Sequence, residues 1–292
     1  MRTVLLGPNG QLSSDIVATN VRRGEPLTIV PVSRKDVDLS DVDAAIRYLR
    51  DLAFDCLINC SSYHKTDEVE GTAQLAFTIN AHLVRKLAEL CAEKSARLVH
   101  ISTDYVFGGG ASRTPLTEAD PKAPVNVYGA SKAMGEDLAL LTGANVLIVR
   151  VASLFGTAGA SGKGGNFVET MLRLARANGA IRVVADQTMS PTATADAAEA
   201  ILDLLGAGAP PGLWHVVNAG QATWHGFAAR IIERAGVSAA VIPIATSEFP
   251  TVAHRPAYSV LDISKFQKAI RPMRPWEDAL DAYLVAKGHV GS

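Results

Sequence analysis

Short runs of β-branched and apolar residues alternate along this chain with longer helical patterns, and this alternation restricts the fold more than any other feature. The strand-like runs lie at 3–7, 27–33, 55–62, 97–103, 145–152, 181–186 and 213–218. The helical patterns lie at 10–22, 41–52, 72–95, 127–142, 165–178, 194–206, 223–235 and 275–287. Such alternation is typical of βαβ units that build a parallel sheet. Several runs are apolar on both faces, as expected when helices cover both sides of the sheet. The sequence therefore predicts a doubly wound α/β fold.

The regularity loosens after residue 150, which indicates a second, smaller unit. A glycine-rich stretch, "GTAGASGKGG", occupies 156–165, and 207–275 is rich in proline and loops. We expect a first domain over 1–150 and a smaller domain formed mostly by 151–292, discontinuous and with returns to the first.

Composition and charge exclude several classes of protein. The 292 residues are 48% hydrophobic and 20% charged, with a net charge of −1, which is typical of a soluble enzyme. That balance gives no basic surface for nucleic acid or an anionic membrane. We expect no secretory leader, because the apolar start "MRTVLLGPNGQ" soon reaches glycine and polar residues. No run approaches the roughly 18 apolar residues of a membrane span.

The cysteines and histidines predict neither a disulfide framework nor a metal site. Cys56, Cys60 and Cys91 are odd in number, sparse and embedded in apolar segments, which indicates a reducing cytoplasm. Cys56 and Cys60 lie in "FDCLINC" with no neighbouring cluster of Cys or His, so we interpret them as core residues. The seven histidines show no spacing suited to zinc.

The stretch "LLGPNGQLSSD" (5–15) is the first that predicts chemistry. A strand is expected to end at Gly7, and a helix to begin near Gly10 with its N–H groups facing any bound anion. Gly7, Gly10 and Ser13 match a variant of the dinucleotide fingerprint in which a small serine replaces the last glycine. A purely structural glycine turn is the alternative, but its place directly after the first strand favours a nucleotide site.

The end of the second strand predicts which nucleotide binds. An acidic residue there would bond the 2′-OH of NAD, whereas arginine accommodates a 2′-phosphate. Ser33, Arg34 and Lys35 occupy this region. We therefore expect a preference for NADP(H), with NAD(H) as the alternative cofactor; in the other interpretation Arg34 and Lys35 are ordinary surface charges.

The stretch "VYGASKAMGE" (127–136) places Tyr128 and Lys132 four residues apart on one helix face. A free tyrosine has a pKa near 10, and a neighbouring ammonium would lower it by favouring the phenolate. Ser102 and Thr103 end the strand at 97–103, at the sheet edge where ligands bind, and would hold a substrate carbonyl. A Y-x-x-x-K pair also occurs by chance as two surface residues, but the three elements in this order make coincidence unlikely.

In these motifs the chain resembles an extended short-chain dehydrogenase/reductase, and within that superfamily the dTDP-4-dehydrorhamnose reductase family. The resemblance spans nearly the whole length. Its segments are "GPNGQL", "VDLSD" (37–41), "LINCSSYHKTDEVE" (57–70), "AFTINAHLVRKLA" (76–88), "ISTDYVF", "NVYGASKAMGE", "GGNFVETMLRLA" (164–175), "VADQTMSPT" (184–192) and "RPAYSVLD" (255–262). It implies a Rossmann-like sheet with a smaller C-terminal substrate domain. It also implies a cytoplasmic enzyme of dTDP-rhamnose biosynthesis that reduces a 4-keto nucleotide sugar with a nicotinamide cofactor.

The resemblance also implies roles for individual residues. Tyr128 would donate the proton, Lys132 would modulate its pKa and contact the ribose, and Thr103 would orient the ketone. The remaining cofactor contacts would be Gly7, Asn9, Gly10, Gln11, Leu12, Ser33, Arg34, Asp38, Leu39, Ser61, Ser62 and Tyr63. The substrate side would comprise Asp104, Val106, Ser153, Asn166 and Arg255. Asn80 would either organise the active-site helix or satisfy buried backbone groups.

Three residues and one loop qualify that inference. Ser153 stands where the family often has tryptophan in "RTSWVFG", so a stacking surface is missing. Family members can bind magnesium through carboxylates at a dimer contact, but Ser190 in "SPT" offers no acid and puts a magnesium-dependent dimer in doubt. Arg255 would grip the nucleotide diphosphate or form a surface salt bridge. The loop 156–165 would be a substrate lid or a plain linker.

Two other functions compete with a reductase. Dehydratases resemble this chain but have Asp-Glu after the threonine, where this chain has Asp104 and Tyr105; an epimerase or another ketoreductase stays open. A non-catalytic, NADP-binding regulatory subunit is the rival from another class, because the regulatory beta subunit of methionine adenosyltransferase is similar to this family. Intact Thr103, Tyr128 and Lys132 favour an enzyme that acts as a monomer or homodimer.

Overall fold

A parallel six-stranded sheet forms the centre of the computed structural model, which describes residues 1–111, 113–158 and 165–291. The strands are β1 (Arg2–Leu6), β2 (Thr28–Val32), β3 (Cys56–Asn59), β4 (Arg97–Thr103), β5 (Val146–Val151), β6 (Leu154–Phe155), β7 (Ala180–Val184), β8 (Thr188–Met189), β9 (Thr192–Ala193), β10 (Gly212–His215), β11 (Ala222–Thr223) and β12 (Ala240–Ile244). The central sheet has the order β10-β5-β4-β3-β1-β2, and every pairing in it is parallel.

Helices cover both faces of this sheet. They are α1 (Gln11–Arg22), α2 (Val42–Arg50), α3 (Thr66–Gly71), α4 (Ala73–Phe77), α5 (Leu83–Glu93), α6 (Val127–Leu140), α7 (Phe167–Asn178), α8 (Thr194–Gly206), α9 (Trp224–Arg234), α10 (Ser264–Ala269) and α11 (Trp276–Ala286). Alternate strand residues point to opposite faces. Leu5 therefore packs with α1 and α8, whereas Val4 and Leu6 pack with α2 and α5. The predicted doubly wound α/β fold is confirmed.

The helix predicted at 72–95 is interrupted. A single turn of π-helix, Thr78–His82, separates α4 from α5, and Asn80 lies within it. Such turns are frequent at functional sites.

The second half of the chain builds a smaller core and also returns to the sheet. Helices α7, α9 and α11 enclose this core. The strand predicted at 181–186 forms β7, but it pairs with β12 outside the central sheet. Strand β10, by contrast, joins the sheet beside β5. None of the helices in the described part of the chain is long and apolar enough to span a membrane.

The strand order fixes where a ligand crevice lies. From β1 the chain passes to β2 on one side and then to β3 on the other. At such a switch point the loops that follow neighbouring strands diverge, which opens a crevice at their carboxyl ends. Gly7 follows β1, Cys60 follows β3, and Thr103 ends β4 at this same edge.

Candidate functional site

Helix α6 begins at Val127 because Asn126 caps it. The Gly129 N–H donates to Asn126 Oδ1 at 2.7 Å, and the Val127 N–H donates to Glu70 Oε1 at 2.8 Å. Asn126 Nδ2 also donates to the His254 carbonyl at 2.8 Å. These bonds satisfy N–H groups that a helix start leaves without partners. They also fix the direction in which the first turn of α6 enters the crevice.

Two glycines let α6 approach the neighbouring backbone closely. A Cβ atom on Gly129 would lie 2.1 Å from the Tyr105 carbonyl oxygen, and one on Gly135 would lie 2.0 Å from the Asn80 carbonyl oxygen. No side chain fits at either distance. The close contacts therefore hold α6 against the turn that follows β4 and against the π-helical turn.

Tyr128 is half-buried beside the hydroxyls of Thr103 and Ser62. Its ring meets Tyr105 edge to face, with centroids 5.8 Å apart. Burial raises the pKa of Tyr128 to about 12, and hydrogen bonding to Thr103 and Ser62 only partly opposes this rise. The expectation that the phenol pKa is lowered by Lys132 is wrong, because burial dominates and raises it.

The amine of Lys132 points inward rather than toward the phenol. The side chain is 1% exposed. Its Nζ donates to the Ile101 carbonyl at 2.6 Å and lies 3.0 Å from His100 Nε2. Burial lowers the pKa of Lys132 to about 8, with the charge of Glu136 acting in the opposite direction. Lys132 is thus a buried base whose pKa lies within reach of neutral pH.

The hydroxyls of Ser102 and Thr103 serve different partners. Ser102 donates to Glu136 Oε1 at 2.5 Å within the core. Thr103 Oγ1 accepts the Tyr105 N–H at 3.2 Å and donates to Asp104 Oδ1 at 3.1 Å. Of the two hydroxyls, Thr103 is therefore the one beside Tyr128.

Asp104 and Val106 are both buried. Burial raises the pKa of Asp104 to about 6, although Ser259 Oγ donates to its Oδ2 at 2.6 Å. The side chain of Val106 is fully buried in the core beneath α1 and α8. Its predicted contact with substrate finds no support in that position, because the side chain is enclosed by other residues.

The turn after β1 forms a cradle at the start of α1. Gly7 has φ +73°, and a Cβ there would lie 3.2 Å from the backbone of Ser61. Ser13 is buried and donates to the Gly7 carbonyl at 2.8 Å, so the serine closes the turn in place of the third glycine. The N–H groups of the first turn of α1 suit an anion at this place.

The other cofactor candidates of α1 differ in exposure. Asn9 is exposed, Gly10 precedes the helix, and Leu12 is buried in the core. Gln11 Nε2 donates to the Leu154 carbonyl at 3.3 Å, whereas its Oε1 is buried without a hydrogen-bond partner. An unpaired buried acceptor is costly unless a ligand supplies the donor. This orphaned atom fits a ligand hydroxyl or amide beside the glycine turn.

The segment after β2 places Arg34 at the rim of the same edge. Arg34 is exposed. The pKa of Asp38 is lowered mainly by hydrogen bonds from Ser40, and the charge of Arg34 makes a smaller contribution in the same direction. Ser33 Oγ donates to Asp36 Oδ2 at 2.8 Å. Leu39 packs against the core beneath α2 and α5.

Asn80 fixes the segment Ser61–Tyr63 that borders the crevice. Its Oδ1 accepts the Tyr63 N–H at 2.9 Å, and its Nδ2 donates to the Tyr63 carbonyl at 3.0 Å. The same Nδ2 donates to Ser131 Oγ on α6 at 3.0 Å, and Ser62 Oγ donates to Oδ1 at 3.2 Å. Asn80 thus satisfies buried backbone groups and also ties this segment to α6.

The candidate substrate residues lie farther apart. Ser153 has φ +43°, an uncommon conformation for a residue other than glycine. Asn166 caps α7 through the Glu169 N–H at 3.1 Å and donates to the Tyr283 hydroxyl at 3.0 Å, so its amide is already bonded. Positions 159–164 of the expected lid or linker lie outside the described residues.

Arg255 forms a salt bridge. Its Nη2 lies 2.7 Å from Asp67 Oδ2, and its Nη1 donates to the Ala253 carbonyl at 2.9 Å. The Ala253 N–H donates to Asp67 Oδ1 at 3.0 Å. This arrangement matches the salt-bridge interpretation and ties the segment at 253–255 to α3.

Asn59 and His100 were missed as members of the site. Both are fully buried polar residues that pair in register; Asn59 ends β3, and His100 lies in the middle of β4. Buried polar residues in otherwise apolar strands are the signal that could have identified them. In the described residues, no group of three or more His, Cys, Asp or Glu could hold a metal ion.

Comparisons with known proteins agree with this geometry. The family described as "RmlD substrate binding domain" matches residues 1–288. The dTDP-4-dehydrorhamnose reductase of Mycobacterium tuberculosis (strain CDC 1551 / Oshkosh) is 37% identical over 290 residues, which cover 98% of this chain and 93% of that protein. The dTDP-4-keto-6-deoxy-D-glucose reductase of Streptomyces niveus is 35% identical over 285 residues, covering 96% and 95%.

A solved structure is similar over the same length. The dTDP-4-dehydrorhamnose reductase of Bacillus anthracis str. Ames, in complex with NADP, superimposes with a TM-score of 0.89 at 34% identity. The alignment covers 98% of this chain and 99% of that chain.

Proposed function

Because the chain belongs to the dTDP-4-dehydrorhamnose reductase family, we propose that it reduces the 4-keto group of a dTDP-linked 6-deoxy sugar with NADPH. The observation that carries this proposal is the convergence of the hydroxyls of Tyr128, Thr103 and Ser62 at the crevice, one helical turn from Lys132. A relative of the same length binds NADP, which supports the choice of cofactor.

The glycine turn and the rim of β2 would hold the cofactor. Gly7, Gly10 and the first turn of α1 suit the diphosphate, and exposed Arg34 suits a 2′-phosphate. The Ser61–Tyr63 segment, fixed by Asn80, would border it on the β3 side. NADPH supplies the hydride when it is bound.

Tyr128 is the proton donor in this proposal. A pKa raised by burial to about 12 keeps the phenol protonated at neutral pH, as a reduction requires of its acid. Thr103 orients the ketone through its hydroxyl, which lies beside the phenol. Negative charge that develops on the keto oxygen would strengthen both hydrogen bonds, and this favours the transition state over the ground state.

The second half of the chain would bind the rest of the substrate. We assign 1–150 to cofactor binding and 151–292 mostly to the sugar nucleotide, with β10 as a return to the first domain. Ser153, Asn166 and Arg255 remain the candidates on the sugar side. Asp104 acts through Thr103 and Ser259, to which it is bonded. The activity belongs in the cytoplasm, in a monomer or homodimer.

The proposal is tested by NADPH oxidation with a panel of dTDP-4-keto-6-deoxyhexoses. We expect turnover with at least one of them, and product analysis then identifies the sugar configuration. In Tyr128→Phe, kcat/KM should fall by about 10²–10⁴ while NADPH binding, followed by its fluorescence, is retained. NADPH binding with no turnover of any panel member would favour the regulatory-subunit alternative, and unchanged turnover in the variant would remove Tyr128 from its role.

A further inference from the structure

Three buried side chains form a continuous chain of hydrogen bonds across β3, β4 and α6. Asn59 and His100 pair in register, and both are fully buried. Asn59 Nδ2 lies 3.1 Å from His100 Nδ1, and His100 Nε2 lies 3.0 Å from Lys132 Nζ. The family resemblance implies that Lys132 contacts the cofactor ribose, but it implies no role for Asn59 or His100.

The backbone fixes the orientation of the Asn59 amide. The Ser61 N–H donates to Asn59 Oδ1 at 3.1 Å, and Ser61 Oγ donates to the same oxygen. A backbone N–H only donates, so the oxygen of the amide must face Ser61 and the NH₂ must face His100. His100 Nδ1 is therefore a hydrogen-bond acceptor.

The remaining ring nitrogen must then carry the proton. Burial holds the pKa of His100 well below its ordinary value, so the ring is neutral and has one N–H. Because Nδ1 accepts, that N–H is at Nε2 and donates toward Lys132 Nζ. A neutral amine has a lone pair for this bond, whereas an ammonium has none.

Protonating Lys132 without moving its amine would disrupt this sequence of donors and acceptors. The ring would have to move its proton to Nδ1, which would then face the NH₂ of Asn59. Alternatively the Asn59 amide would have to rotate and leave the Ser61 N–H without an acceptor. Either change leaves a buried donor unpaired, which costs about 1–3 kcal/mol.

We propose that His100 is a positioning residue for Lys132: with Asn59 it directs the amine toward β4, favours its neutral form in the ligand-free protein, and links its charge to the Ser61 segment. Above about pH 8, where the amine is mainly neutral, a ligand that draws it away from His100 then binds with uptake of a proton by Lys132. This inference rests on the proposed function for the use of Lys132, whereas the hydrogen-bond chain is a property of the ligand-free protein.

The other titratable groups around Lys132 do not replace His100. Glu136, one turn along α6, raises the pKa of Lys132 but is itself bound by Arg150 and lies 3.5 Å from Lys122. The Cys60 thiol, whose pKa burial raises to about 11, is neutral at neutral pH. The Tyr128 phenol on the same helix is also neutral there. Of these titratable groups, only His100 bonds directly to the amine.

The first test reads the tautomer of His100 in the ligand-free protein. Long-range ¹H–¹⁵N spectra distinguish protonated from unprotonated ring nitrogens for each of the seven histidines. His100 is assigned by loss of its signals in His100→Gln or, should that variant not fold, by contacts of the ring with the Lys132 methylenes. We expect the proton at Nε2 above about pH 9, where the amine of Lys132 is neutral; a proton at Nδ1 under those conditions would overturn the proposal.

The second test reverses the tautomer with an isosteric change. In Asn59→Asp one carboxylate oxygen keeps the Ser61 N–H and the other accepts from His100, so the proton should move to Nδ1. His100 Nε2 then accepts from an ammonium, and the pKa of Lys132, read from its ¹³Cε shift, should rise by at least about one unit. The introduced carboxylate would also raise this pKa by its charge alone, so the tautomer is the deciding signal. A rise without a change of tautomer contradicts the proposal.

A third measurement tests whether the contact between His100 and Lys132 affects turnover. The limb of the kcat/KM profile that reports Lys132 should move in Asn59→Asp by the same amount as the measured pKa. The spectra require no substrate, so loss of the reductase assignment would leave the tautomer result intact, and a wrong tautomer would leave the reductase assignment intact.

Discussion

Lys132 and Glu136 lie one turn apart on α6 and are both buried, but only Glu136 contacts a residue of opposite charge. Glu136 accepts hydrogen bonds from Arg150 Nε at 2.9 Å and Nη2 at 2.7 Å, and from Ser102. The charge of this carboxylate is matched by a guanidinium of the neighbouring strand β5. The Glu136–Arg150 pair therefore joins α6 to the sheet as a fixed structural contact.

Lys132 bonds instead to an imidazole and a backbone carbonyl, neither of which is charged. Burial consequently lowers the pKa of Lys132 to about 8. A buried charge without an oppositely charged contact is costly for folding, and such groups are frequent where chemistry is done. Helix α6 is thus fixed to the sheet by Glu136, and one turn earlier it carries Lys132, which can change its protonation state near neutral pH.

Breaking the matched pair should have the largest effect. Arg150→Met leaves Glu136 buried with only Ser102 and the more distant Lys122, and we expect the free energy of unfolding to fall by about 3–5 kcal/mol. Urea denaturation at neutral pH measures this change. The double variant Glu136→Met/Arg150→Met should recover most of it, because two apolar residues leave no unpaired charge. A double variant as unstable as the single one would show that packing, not charge, dominates.

The position of α6 itself comes next. Gly135→Ala places a methyl group where the Asn80 carbonyl oxygen lies 2.0 Å away, so helix and π-turn must separate. We expect a loss of about 1–3 kcal/mol in the free energy of unfolding, as for other overpacked sites. Gly71→Ala is the matched control, because a Cβ at Gly71 meets nothing within 4 Å. Equal effects in the two variants would mean that the close approach does not hold α6 in place.

Stability as a function of pH should distinguish the unmatched charge. The pKa of Lys132 falls from 10.5 to about 8 on folding, so between these values the unfolded chain binds the proton and the folded protein does not. Stability therefore rises with pH through this window. Relative to Lys132→Met, the wild type should gain about 2 kcal/mol between about pH 7 and pH 9.5. A constant difference between the two proteins would contradict a lowered pKa.

Much of this arrangement could be predicted from local sequence patterns. The helix expected at 127–142 forms as Val127–Leu140, and the strand expected at 97–103 forms with those bounds. Tyr128 and Lys132 are four residues apart, so one helix places both, and regular backbone geometry suffices to locate them. Thr103 ends a parallel strand, and strand ends share an edge of the sheet.

The rest depends on contacts between distant segments. Arg255 pairs with Asp67, which is 188 residues away in the chain, so no local sequence pattern predicts that bond. The direction of the Tyr128 pKa was predicted wrongly because spacing indicates an ammonium nearby but gives neither burial nor the direction of the amine. In the sequence, His100 is one polar residue in an apolar strand. Its role is visible only in the structure, where Asn59 of β3 and Lys132 of α6 are its hydrogen-bond partners.

Arg34 extends the contrast to a charge outside the core and should give the smallest effect. It is exposed at the rim of the crevice, so it costs little in folding and should act only on a bound 2′-phosphate. In Arg34→Ala we expect the Kd for NADPH to rise about tenfold, equivalent to about 1.4 kcal/mol, while the Kd for NADH and the free energy of unfolding stay unchanged. Added salt should reduce the difference in Kd between wild type and variant, because exposed charges are screened.

Lys35→Ala, which removes the neighbouring exposed cation, is the matched control. An equal loss of NADPH affinity in this variant would assign the preference to general positive charge at the rim. Equal losses of affinity for NADPH and NADH in Arg34→Ala would remove Arg34 from phosphate recognition.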